Sequence, residues 1–129
     1  MVKLVYVVRR RSDFSPQAFA QRWLAHGTLV REVAEAIRAR RYVQSHTLDT
    51  PLNAMLAESR GMQPAYDGIT EVWWDSADDL AAGMSTPVGR VAAQRLLDDE
   101  REFIDLAASR LFLTEEHEII PLRGHGDLR

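Results

Sequence analysis

The chain contains no cysteine, which excludes disulfides, thiolate nucleophiles and thiolate metal sites and fits a reducing compartment. It also lacks any apolar run long enough to cross a bilayer. The first residues, MVKLVYVVRRR, place a short apolar stretch before the basic cluster rather than after it, so they read as a strand and not as a targeting signal. The expected location is cytoplasmic, with no membrane partner. A large positive charge is missing as well: the net charge is -3 and the pI about 5.8. This argues against a nucleic-acid binder despite the clusters Arg9, Arg10, Arg11 and Arg38, Arg40, Arg41. No phosphate-binding glycine loop, GxSxG or HExxH occurs. No second histidine stands at ligand spacing to His117 in the run Glu115, Glu116, His117, Glu118. Neither a metal nor an organic cofactor is expected.

What is present is enough for one domain. Over 129 residues, 46% are hydrophobic and 27% charged, the proportions of a chain that buries a sizeable core. Residues 1–120 are expected to form that domain and residues 121–129 a flexible tail.

Residues 2–9 are rich in β-branched side chains at both parities, which predicts a central strand covered on both faces. Ser15 before Pro16 forms an N-cap followed by proline at the first helical position, and Phe14 and Phe19 stand at the two ends of a hydrophobic staple. The helix that begins there is expected to stop near Gly27, with one or two further turns over residues 29–37. Residues 41–48 and 66–75 read as strands. Between them, residues 52–66 form a long connection with a weakly helical piece. A short helix is expected over residues 77–82 and a longer one, restarted by Thr86 and Pro87, reaching about Ala107. Ala92, Leu96, Phe103 and Ala107 mark its core face. The last strand is expected within residues 111–120.

The order β, α, β, β, α, β defines an α+β class: a ferredoxin-like split βαβ fold with an antiparallel sheet and its helices on one face. Leu4, Tyr6, Thr70, Val72 and Trp74 would form the helix side. Ile69, Glu71 and Trp73 would lie on the other, an apolar patch best covered by a second copy of the chain, with Glu71 paired across subunits.

Within this frame the sequence offers several candidates for chemistry. Phe19, Trp23 and His26 recur at helical spacing, so an imidazole stands beside an aromatic wall where it would bind a ligand or move a proton. The alternative is a histidine that caps a helix by bonding a terminal carbonyl. His46 shares parity with Tyr42 and Gln44 and serves either as a second acid–base group or in an inter-strand hydrogen bond. Asp99 falls on an apolar stripe, where an ionised carboxylate needs a partner. It would either polarise a histidine or pair with Arg95 or Arg9. Tyr6 and Trp74 would stack on a ring and offer a hydroxyl or an indole donor, or simply fill the core.

FxxxWxxH (Phe19, Trp23, His26), YVQSH (residues 42–46), YDGITEVWWDS (residues 66–76) and DEREFID (residues 99–105), in this order, resemble the EthD family of dimeric α+β barrels over nearly residues 1–120. The resemblance implies a homodimer whose sheets form a barrel, with a ligand pocket between sheet and helices in each subunit. Members of this superfamily include cofactor-free monooxygenases, polyketide cyclases, dehydratases and muconolactone-type isomerases. Cyclases on this scaffold use histidines of the first and third strands, and Leu4 and Gly68 stand at the matching positions. Neither transfers a proton, although Gly68 would leave room for a ligand. The expected function is therefore binding of a small, partly apolar cyclic or aromatic carbonyl or phenolic compound, with cofactor-free lyase, isomerase or oxygenase chemistry. His26, His46 and Asp99 would be catalytic, and Tyr6, Trp23, Gly68 and Trp74 would bind substrate. The alternative is a binding or carrier module without chemistry.

Overall fold

The computed structural model describes residues 1–127. The element order is β1 (Val2–Val8), α1 (Pro16–Val33), β2 (Arg41–His46), α2 (Pro51–Glu58), β3 (Gly68–Trp74), α3 (Ala77–Ser85), α4 (Pro87–Glu100) and β4 (Arg110–Thr114). The four strands form one sheet in the order β2-β3-β1-β4, with every neighbouring pair antiparallel. This is the ferredoxin-like α+β arrangement, with the β-branched β1 at its centre.

Local signals place the helix starts. The Ser15 hydroxyl accepts from the Ala18 N–H and Pro16 opens α1, while Phe14 packs on the cluster that contains Phe19. Thr50, Ser76 and Thr86 cap α2, α3 and α4 in the same way.

Two helix ends differ from expectation. Helix α1 runs through Gly27 to Val33, because the apolar stripe continues past the glycine: Phe19, Trp23, His26, Val30 and Val33 are all buried. A mid-helix glycine costs about 1 kcal/mol, and that burial outweighs it. A Cβ at Gly27 would lie 3.6 Å from Gln44 Nε2, an ordinary van der Waals contact, so the packing there does not require a glycine. Helix α4 stops at Glu100 instead of near Ala107. Arg11 N–H donates to the Phe103 carbonyl at 2.9 Å and Asp105 N–H to the Arg9 carbonyl at 2.8 Å. These bonds, with the Arg10–Ile104 bridge, peel residues 101–105 off the helix and drive Phe103 and Ile104 into the core. Ala107, expected on the core face, is exposed.

The sheet faces divide as the alternation predicts. Leu4 pairs with Val72 and Tyr6 with Thr70 on the helix side. On the other face Ile69 and Phe112 are exposed, but Trp73 is not. Lys3 and Arg41 sit over its ring and its indole N–H donates to Glu116. Glu71, expected to pair across subunits, is held within the chain by Lys3 at 2.6 Å.

Residues 115–118 lie beyond the last strand. Residues 121–126 are exposed, and a single 3-10 turn covers His125–Asp127. The rest of the expected tail, residues 128 and 129, lies outside the described residues. Among the described residues no helix is long and apolar enough to cross a membrane.

Candidate functional site

Between α1, α4 and the inner face of the sheet lies a cavity of about 250 Å³. Its walls are largely apolar, formed by Leu4, Val72, Trp74, Leu96 and Leu97 together with Trp23. The polar side chains that reach it are Tyr6, His26, Tyr42, Thr70 and Glu100. Apolar walls with a few convergent polar groups are the usual composition of a small-molecule site.

His26 is buried in the middle of α1, not at its C-terminus, so the capping role does not apply to it. Its Nδ1 stands 2.6 Å from Asp99 Oδ2. Arg22, one turn before His26 on the same helix face, donates to both Asp99 oxygens at 2.5 and 3.2 Å. Asp99 thus pairs with Arg22, not with Arg95 or Arg9: Arg95 contacts Glu32 and Arg9 lies over the Tyr66 ring. The Arg22 guanidinium holds the Asp99 carboxyl below the usual carboxylate range, and the bond to His26 acts in the same direction. Burial pushes the His26 imidazole below its ordinary value, while Asp99 partly opposes this. An ionised Asp99 accepts only, so neutral His26 carries its proton on Nδ1 and presents the lone pair of Nε2 on the cavity side.

The residue facing that nitrogen escaped the reading of the sequence. Glu100 Oε2 lies 3.8 Å from His26 Nε2, and its Oε1 accepts from the Tyr6 hydroxyl at 3.2 Å. Burial pushes the Glu100 carboxyl up to about 7, the Tyr6 hydrogen bond opposes the rise, and the negative charge of Asp99 adds to it. Burial, then the Glu100 charge, also raises the Tyr6 phenol. Glu100 reads as part of a charged run, DDERE, yet Ala93, Leu96, Leu97 and Glu100 stand at i, i+3, i+4 and i+7 on the face that lines the cavity.

Three other expected residues are placed differently. His46 does not line the cavity. Its Nε2 bonds Gln44 Oε1 at 2.8 Å, its ring stacks on Trp23 with centroids 4.3 Å apart, and burial lowers its pKa. It buttresses the wall and does not meet His26. Gly68 leaves no space for a ligand, because the Trp23 indole fills it; a Cβ there would meet that ring and would stand 2.6 Å from the Ser45 carbonyl oxygen. Trp74 contributes ring surface, but its indole N–H is already bonded to the Ile37 carbonyl at 2.8 Å.

A family model described as the EthD domain matches residues 11–107. A search of curated proteins finds no match by sequence. Among solved structures, an "ethyl tert-butyl ether d (ethd) family protein" from Bacillus halodurans superposes with a TM-score of 0.59 at 22% identity, covering 91% of this chain and 99% of that one. A dimeric protein of unknown function and ferredoxin-like fold from Bacteroides fragilis gives 0.57 at 11% identity, covering 89% and 95%. SnoaB, a cofactor-independent oxygenase from Streptomyces nogalater, gives 0.53 at 12% identity, covering 94% and 97%. At these identities the superpositions establish the fold.

Proposed function

The chain belongs to the EthD domain family, and from that premise we propose that it is a homodimer, each subunit of which binds a small, partly apolar cyclic or aromatic carbonyl or phenolic compound in the cavity between helices and sheet. There His26 moves a proton on the ligand with no cofactor. The observation that carries this reading is the His26–Asp99 contact of 2.6 Å, backed by Arg22.

The chemistry follows from the geometry. Asp99 fixes the tautomer and would stabilise the imidazolium that forms when Nε2 takes a proton from a ligand C–H or O–H. The apolar walls around that nitrogen keep competing water away and strengthen each polar contact. Lyase, isomerase and cofactor-free oxygenase reactions on an acidic C–H or O–H can begin with such a proton removal, and the description of the Streptomyces nogalater protein is consistent with the last of these. Tyr6 and Trp74 supply ring surface, while Trp23, held by Gly68 and His46, closes the end of the cavity. Ile69 and Phe112 supply the exposed apolar face that a second copy would cover.

Native mass spectrometry of protein purified from its own host tests the reading. A dimer that releases an aromatic or carbonyl compound is the expected result, with turnover of that compound reduced by His26→Ala. A His26→Ala protein that turns it over at the wild-type rate overturns the proton-transfer role and leaves a binding or carrier module.

A further inference from the structure

We propose that Glu100 is a second acid–base residue of the cavity, set against His26, and that it restricts the site to uncharged ligands that present an oxygen acceptor, excluding carboxylates. The inference rests on the reading that the cavity takes a small molecule, and it adds a residue and a selection rule to it.

The geometry supplies two arguments. The first is charge. Among the described residues no lysine or arginine lines the cavity; Arg22 has both terminal nitrogens on Asp99, and Lys3 is bound to Glu71 on the other face of the sheet. A ligand carboxylate would enter a low-dielectric space that already holds a carboxyl group and offers no cation, the costly case for a buried charge. The second is position. The Glu100 carboxyl has Tyr6 on one oxygen at 3.2 Å and keeps the other, 3.8 Å from His26 Nε2, without a short bond to it. A ligand oxygen lodged there would accept the proton of the carboxylic acid while Nε2 faces the adjacent carbon.

Burial sets the protonation of Glu100 first, with Tyr6 on β1 opposing and Asp99 on its own helix adding to the rise; the titratable groups that face it from the other elements are His26 on α1, itself held to the Asp99–Arg22 pair, and Tyr42 on β2. Their balance leaves the carboxyl about half protonated around neutral pH, so both the acid and the carboxylate are populated there. The step balances without any redox partner. The Cα–H bond of a ketone breaks and its proton goes to Nε2. The electron pair forms the carbon–carbon double bond of the enol, and the carbonyl oxygen takes the Glu100 proton. This leaves an imidazolium beside a carboxylate, and reversal returns a proton to carbon.

The test uses the full-length protein in heavy water with two probes of similar shape, β-tetralone and β-naphthoate. Wild type is expected to bind the ketone at least about tenfold more tightly than the carboxylate and to accelerate deuterium incorporation beside the carbonyl. Glu100→Gln, which keeps the shape and removes the ionisable group, is expected to slow the exchange by about tenfold or more and to narrow the selectivity measured above pH 7, where Glu100 is ionised. Glu100→Leu is a second variant in case the first fails to fold. His26→Gln should abolish exchange while keeping the selectivity. Equal wild-type affinity for the two probes, or a folded Glu100 variant with unchanged selectivity and exchange, overturns the role of Glu100 and leaves the small-molecule reading standing. Failure of wild type to bind either probe counts against both.

Discussion

Nδ1 of His26 and Oδ2 of Asp99 meet at 2.6 Å across 73 residues of sequence. The contact joins the middle of α1 to the last turn of α4 and fixes which imidazole nitrogen faces the cavity. Arg22 completes it by keeping Asp99 ionised.

Asp99→Asn should therefore cost stability as well as function. Removing the carboxylate leaves Arg22 without its anion and His26 without its acceptor, a loss of about 1–3 kcal/mol for a partly exposed network. Because the folded-state pKa of Asp99 is depressed, its contribution is present above the unfolded value of 3.8 and is lost as pH falls through the lower folded value. Urea denaturation of wild type and variant should show a gap near neutral pH that closes in strong acid.

Glu100 carries the opposite sign. Its folded pKa is raised to about 7 from 4.5, so its stabilising effect is complete below the unfolded value and is lost as pH rises through the folded one. Glu100→Gln keeps an acceptor for Tyr6 and has no charge to bury. It should gain on wild type by roughly 3 kcal/mol from a pH below 4.5 to a pH above 7. Thermal unfolding at the two ends of that window measures the difference, and parallel curves would contradict the burial of this carboxyl.

Gly68→Ala is expected to destabilise the protein by about 1–3 kcal/mol. A Cβ there meets the Trp23 ring and the Ser45 backbone, and only the ring has any freedom to yield. The same displacement should disturb the stack of Trp23 on His46, visible as a change in Trp fluorescence. An unchanged unfolding midpoint would mean that the indole does not occupy this space.

The dimer rests on the exposed sheet face. The double variant Ile69→Lys, Phe112→Lys places two cations where both residues are now solvent-facing, and like charges brought together across a two-fold axis oppose association. Sedimentation should show a dimer for wild type and a monomer for the variant. A wild-type monomer, or a variant that still dimerises, would place the interface elsewhere or remove it.

The elements were legible because their signals are local. Ser15 with Pro16, and Thr86 with Pro87, place helix starts within a few residues, and the parity of Tyr6, Thr70 and Trp74 assigns the sheet faces. The errors arose where a local signal competed with a distant one. Gly27 looks like a helix stop, but Val30 and Val33 continue the buried stripe past it. Phe103 keeps helical spacing from Leu96, yet Arg9 and Arg11 capture the backbone around it. Asp99 was recognisable as a carboxylate in need of a partner, whereas Arg22, 77 residues away, was not recognisable as that partner. Glu100 sat on the cavity-facing stripe and was hidden by the charged residues on either side.

The tautomer and charge of His26 decide whether the cavity contains a base. Nitrogen-15 NMR of the imidazole across pH, in wild type and in Asp99→Asn, reads both directly. Near neutral pH the wild-type ring should be neutral, with its proton on Nδ1 and a pKa below the ordinary value of 6.5, and Asp99→Asn should lose that tautomer preference. A wild-type ring that is charged at neutral pH, or neutral with its proton on Nε2, would leave no base facing the cavity and would contradict the proton-transfer role assigned to His26.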